Sequence, residues 1–140
     1  MNDKIFVDTN VLVYAHDNKE GRKQEAAKKI LSDLSEHRSG ALSMQVLQEF
    51  YTTARRKLAS SLPKDEARAI VNDFAQWCVE TTPAEITRAF QIEDEARIGF
   101  WDALIIAAAI KSGATRIISE DLNPGQIIAG ITIENPFANP

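Results

Sequence analysis

Lys4-Ile5-Phe6-Val7-Asp8-Thr9-Asn10-Val11-Leu12-Val13-Tyr14-Ala15 is the stretch whose reading decides the fold. A short apolar run stops abruptly at Asp8, which reads as a buried strand. Thr9 and Asn10 are cap-type residues, and Val11 to Ala15 then suggests a short helix. The same alternation repeats along the chain. Ala26, Ala27, Ile30, Leu31 and Leu34 recur at helical spacing from Lys23 to Leu34. Gly40-Ala41-Leu42 reads as a minimal second strand, and Ser43 caps a helix whose apolar stripe is Val46, Leu47, Phe50, Ala54 and Leu58. Pro63 opens a further helix with Ala67, Ile70, Val71, Phe74 and Cys78 on one face, and Val79-Glu80-Thr81 reads as a short strand. Thr82-Pro83-Ala84-Glu85 has the order of a helix start, Gly99 marks a break, and Trp101 to Ser112 is a nearly all-apolar helix ended by Gly113. Ala114 to Ser119 is the next strand, Asn123-Pro124-Gly125 and Gly130 mark turns, and Ile131-Thr132-Ile133 is a last strand. Short apolar strands alternating with helices predict an α/β sandwich with a mostly parallel sheet. In such sheets, sites form outside the carboxyl ends of strands, where Asp8 and Asp121 both fall.

The chain has 140 residues, 44% hydrophobic and 26% charged, the size and balance of one ordinary globular domain spanning residues 1–140. Its longest apolar run, Ala103 to Ile110, is far below the roughly 20 residues needed to span a bilayer, so no membrane association is expected. The first residues have no signal-peptide pattern, and the single cysteine, Cys78, fits a reducing cytoplasm. A net charge of −4 argues against a general nucleic-acid coat protein, though a cluster of carboxylates holding cations would itself add negative charge.

Four acids stand out by position, and each has a plainer reading beside the functional one. Asp8 closes a strand and reads as a metal ligand or as a helix N-cap. Glu49 lies on an amphipathic helix and reads as a ligand or as a solvated surface residue. Asp102 is the only charged residue from Gly99 to Ile110; it either complements the helix dipole or sits at the end of a buried helix where a cation offsets its burial. Asp121 ends the later strand, as a ligand or as a turn residue. Taken together, hard oxygen ligands of this kind select Mg²⁺ or Mn²⁺, which orient and activate water for in-line attack on phosphorus. Arg56, seven residues beyond Glu49, and Arg97, shortly before Asp102, are candidate contacts to a phosphate backbone, with a solvated basic turn as the alternative for Arg56. Phe100 and Trp101 read as packing residues rather than a base-stacking platform. His16 and His37 are too few and too far apart for a zinc motif, and there is no P-loop and no dinucleotide fingerprint.

Phe6-Val7-Asp8-Thr9-Asn10-Val11-Leu12, Glu49 after Ser43, Trp101-Asp102-Ala103-Leu104-Ile105, Ser119-Glu120-Asp121-Leu122 and the closing Asn135-Pro136-Phe137 together resemble the PIN domain, in particular the VapC-type toxin ribonucleases. The resemblance implies a three-layer α/β/α sandwich and an endoribonuclease dependent on Mg²⁺ or Mn²⁺. It implies Asp8, Glu49, Asp102 and Asp121 as the acidic quartet, with Asn10 and Ser119 as hydrogen-bonding groups behind it. Ser119 stands where the family often has threonine, which keeps the hydroxyl. It further implies RNA as substrate, a cognate antitoxin protein as partner, and a homodimer, for which apolar residues around Ile70 and Phe74 are candidates. Two other classes compete: a PIN-like binding module without turnover, and an aspartate-based phosphotransfer domain. Haloacid-dehalogenase-type phosphatases usually carry a second aspartate two residues after the first, where this chain has Asn10.

Overall fold

The structure is a computed structural model that describes residues 3–56 and 61–138. Strands β1 (Lys4–Val7), β2 (Gly40–Ala41), β3 (Ala114–Ile118), β4 (Ile127–Ile128) and β5 (Ile131–Glu134) form one sheet in the order β2-β1-β3-β5-β4. β1 runs parallel to β2 and β3, β5 runs parallel to β3, and only β4 is antiparallel. The helices are α1 (Thr9–Ala15), α2 (Arg22–His37), α3 (Met44–Arg56), α4 (Lys64–Phe74), α5 (Pro83–Ala96) and α6 (Phe100–Ser112).

Successive side chains of a strand point to opposite faces of its sheet, and here both are buried: Phe6 and Val7 in β1, Ile117 and Ile118 in β3. Both faces are therefore covered where the strands end, and the three-layer α/β/α sandwich follows from those apolar strand ends. α6 packs on β1, β3 and β5 with α5 against it; α1 packs on α2 and α3, and α3 on α4. The chain leaves β1 for β2 on one side and later returns to β3 on the other. The strand order thus reverses between β1 and β3, which opens a crevice at their carboxyl ends.

Local chemistry holds the element ends. Thr82 Oγ1 accepts from the Ala84 amide at 3.2 Å while Glu85 Oε1 accepts from the Thr82 amide at 2.7 Å, a reciprocal cap of the kind worth about 1 kcal/mol. Gly113 ends α6 at φ +84°, as its place in the sequence implies. Gly40 is required for packing: a Cβ there would lie 2.4 Å from the Trp77 ring.

Several expectations need correction. Val79-Glu80-Thr81 forms no strand; α4 stops at Phe74, a 3₁₀ turn spans Ala75–Trp77, and the only pairing here is an isolated bridge between Cys78 and Leu42. Cys78 is accordingly not on the face of α4. β4 is an unforeseen strand: Ala129 and Gly130 at φ +52° and +85° make a two-residue hairpin that folds Ile127–Ile128 back onto β5. Ile70 and Phe74 are half-buried against the core rather than exposed. Leu58 lies outside the described residues.

Candidate functional site

The register of β1 and β3 builds the floor of the crevice. Phe6 lies opposite Ile117 and Val7 opposite Ile118, so Asp8 and Ser119 emerge side by side where the two strands end. The Asp8 amide donates to the Ile118 carbonyl at 3.0 Å, which carries the pairing right up to the site. Asp8 is only 8% exposed and Ser119 fully buried. Ser119 Oγ donates to Asp8 Oδ2 at 2.7 Å and accepts from the Asp121 amide at 3.1 Å. The other Asp8 oxygen accepts from the Thr9 amide at 2.8 Å. Asp8 does stand at the N-cap position of α1, yet its bond to the first helical amide differs from the usual cap to the second or third. Its second oxygen is turned away from the helix, onto β3.

Asn10 ties the two strand ends from above. Its Oδ1 accepts from the Glu120 amide at 3.1 Å, and its Nδ2 donates to Asp121 Oδ2 at 3.3 Å and to Ser119 Oγ at 3.4 Å. Thr9 reaches the other way: its Oγ1 donates to Glu49 Oε1 on α3 at 2.8 Å. One short segment, Asp8-Thr9-Asn10, therefore touches both the loop after β3 and the helix that carries Glu49. Asp102 enters from the first turn of α6. The interior of that helix is buried and its N-terminus opens on the cleft, one of the two placements its apolar surroundings imply; the Asp102 side chain is exposed there rather than enclosed. Trp101 is exposed too, and is not the buried packing residue expected.

Asp8, Glu49, Asp102 and Asp121 all line one open cleft of about 680 Å³, together with Thr9, Asn10 and Gln45. Burial pushes the Asp8 carboxyl up from 3.8 to about 6, against the lowering effect of Ser119 and Thr9, and the charges of Asp121 and Glu49 add to the rise. Asp102 is raised as well, by desolvation first and then by Asp121 and Glu49. Two carboxylates raised by burial, with the charges of Asp121 and Glu49 adding to both, are short of positive charge. A hard divalent cation matches that need and the all-oxygen donor set. As the side chains stand, no three acidic, His or Cys groups among the described residues gather tightly enough to hold a metal, so binding one requires them to turn inward.

Arg56 and Arg97 are exposed at the ends of α3 and α5 and are not among the residues lining the cleft. Arg55 Nη1 donates to the Leu62 carbonyl at 2.6 Å. A further group escaped sequence reasoning. Glu120, between Ser119 and Asp121, accepts from the Tyr14 hydroxyl and pairs with Lys23 Nζ at 2.7 Å. Lys23 also lies over the Tyr14 ring at 4.9 Å, and Phe137 packs edge-on against that ring at 5.1 Å. Burial alone would raise the Glu120 carboxyl, but Lys23 and Tyr14 outweigh it and hold the carboxyl below its ordinary range. Its members lie far apart in the chain, and no spacing in the sequence joins them.

The chain belongs to the PIN domain family, whose model matches residues 5–127. PIN domains as a family are nucleases. The fold is similar to a toxin–antitoxin complex from Klebsiella pneumoniae at 17% identity and TM-score 0.68, covering 96% of this chain and 98% of that one. It is similar to DNA-bound VapBC from Salmonella typhimurium at 24% identity and TM-score 0.64, covering 96% and 99%. VapBC2 from Rickettsia felis, bound to a DNA fragment from its promoter, aligns at 20% identity and TM-score 0.63 over 94% and 97%. No curated protein is a significant match in sequence. No described helix is long and apolar enough to cross a membrane.

Proposed function

We propose that this chain is an endoribonuclease dependent on Mg²⁺ or Mn²⁺, the toxin of a toxin–antitoxin pair, with Asp8, Glu49, Asp102 and Asp121 as its acidic set. The observation that carries the reading is the convergence of four acids, from the end of β1, from α3, from α6 and from the loop after β3, on one cleft at the strand-order reversal. When bound, the ion supplies Lewis acidity, lowering the pKa of water and offsetting charge on the phosphate. Asp8 is the fixed anchor, because Ser119 and the Thr9 amide hold both of its oxygens. Asn10 sets the direction of Asp121, and Thr9 that of Glu49. Among the described residues no protein donor holds Asp102, which leaves it free to turn toward an ion or an attacking water. Hydrolysis by water leaves 5′-phosphate and 3′-hydroxyl ends, with no histidine pair lining the cleft to support a 2′-hydroxyl route.

The same reading extends to partners: a cognate antitoxin, supported by the Klebsiella pneumoniae toxin–antitoxin complex of similar fold, and, from the family resemblance alone, a second copy of the chain in a cytoplasmic homodimer. Arg56 and Arg97 would contact RNA outside the cleft itself. One observation favours a second reading, a PIN-like module that binds without turnover: the acids are not drawn together tightly enough to form a ready metal cluster. Calorimetric titration with Mn²⁺ separates the two. Binding that Asp8→Asn abolishes supports the enzyme, and no binding supports the module. Phosphotransfer through Asp8 is disfavoured because the residue two positions on is Asn10 rather than a second aspartate.

A further inference from the structure

Trp101 is placed where a packing residue has no reason to be. Its side chain is 65% exposed, although an aromatic of this size normally buries most of its area. Phe100 props it in a T-shaped contact at 5.2 Å, and Phe90 lies behind Phe100 at 5.8 Å. The indole stands between the acidic cleft and a neighbouring apolar groove of about 360 Å³, lined in part by Met44, Ile86 and Leu104; Trp101 and Gln45 line both. Gln45 Nε2 donates to the Trp101 carbonyl at 3.4 Å, while Gln45 Oε1 is buried with no partner among the described residues. That oxygen gains a hydrogen bond if the side chain turns outward to meet a donor.

None of the residues lining the acidic cleft is Lys or Arg. Within the cleft a polynucleotide therefore has no Lys or Arg to pair with, and stacking of bases on an aromatic ring is indifferent to the sign of the local field. The groove is continuous with the cleft through the same two residues, so a chain whose phosphate lies at the acids places an adjacent base at the indole.

We infer that Trp101 and Gln45 form a nucleobase subsite of the cleft. The indole stacks on the base beside the scissile phosphate, and Gln45 presents its free amide oxygen to an N–H on that base's edge. This inference rests on the reading of the cleft as an RNA-cleaving site.

The test is steady-state cleavage of a defined single-stranded RNA by wild type, Trp101→Phe and Trp101→Ala, each checked for an unchanged thermal transition. The same RNA carrying an abasic residue at successive positions flanking the cut is assayed in parallel. The subsite predicts that Trp101→Ala raises KM roughly 5- to 100-fold with kcat little changed, and that Trp101→Phe restores most of the loss. One abasic position should penalise wild type but not Trp101→Ala. An unchanged KM, or an abasic penalty equally large in Trp101→Ala, overturns the subsite and leaves the groove to a protein segment. Failure of the nuclease reading looks different: wild type itself cleaves no RNA. In that case 2-aminopurine substituted into the same oligonucleotide decides. Quenching on binding that Trp101→Ala abolishes supports the subsite, and absence of quenching overturns it.

Discussion

The ends of β1 and β3 are neighbouring, parallel and equally buried up to their last residue, yet they present their acids in opposite ways. β1 runs straight into α1, so Asp8 is pinned from below, 8% exposed, with each oxygen committed. β3 runs into a loop, so Asp121 is exposed and its position depends on partners brought from elsewhere: Asn10 directly, and the Tyr14–Glu120–Lys23 latch one residue away. Ser119 is the hinge between the two, bonded to Asp8 on one side and to the Asp121 amide on the other. The contrast teaches that a pair of carboxylates at a strand-order reversal need not be equivalent. One is held by the sheet at a cost in charge burial, and the other is held by surface chemistry at little cost.

The largest expected effect comes from removing the pinned charge. Asp8→Asn is expected to abolish cleavage and, in metal-free protein at pH 7, to raise stability by about 1–3 kcal/mol. The net rise from 3.8 to about 6 already includes the hydrogen bonds and is worth about 3 kcal/mol, and the amide gives back part of it because its one oxygen cannot serve both donors. Chemical denaturation in EDTA measures this. The sign with pH is definite. The folded state holds the Asp8 proton more tightly than the unfolded chain, so this group's contribution is fully favourable below 3.8 and is lost as pH rises through about 6. Stability of the metal-free wild type should therefore fall between pH 4 and 6.5 relative to Asp8→Asn. Metal-dependent activity should run the other way, rising through about pH 6 as the ion displaces the proton.

Cutting the hinge should come next. Ser119→Ala removes the donor to Asp8 and the acceptor for the Asp121 amide. It is expected to lower activity about 10- to 100-fold, as loss of a group orienting a metal ligand does, and to cost about 1–3 kcal/mol in stability. Cleavage rates across a Mn²⁺ series distinguish weakened metal affinity, which excess metal rescues, from misplacement, which it does not.

The smallest effect belongs to the loosely held end. Lys23→Met breaks a partly exposed ion pair, so the stability change should stay within about 1 kcal/mol. Activity should drop a few-fold, and the ratio of wild-type to variant activity should shrink as salt is raised. If Lys23→Met instead matched Ser119→Ala, the two strand ends would not differ as described.

Much of this was legible in sequence wherever the cause was local. The apolar runs before Asp8 and Ser119, the cap at Thr82, Glu85 and the stop at Gly113 act within a few residues, and the structure keeps them. What escaped depends on distant partners. The Thr9–Glu49 bond spans 40 positions and the Tyr14–Glu120 bond 106, and no spacing rule joins them. β4 was missed because two residues carry no periodicity and their pairing depends on the hairpin at Ala129 and Gly130. Trp101 was misread for the opposite reason: an unbroken apolar run hides which end of its helix meets solvent.

The central claim, that Asp8 anchors a divalent-ion site for cutting RNA, is tested most directly by incubating wild type and Asp8→Asn with a 5′-labelled single-stranded RNA in Mn²⁺ and in EDTA. The account predicts fragments with 3′-hydroxyl ends from wild type in Mn²⁺ alone, and none from Asp8→Asn. Cleavage that persisted in EDTA and survived Asp8→Asn would contradict it.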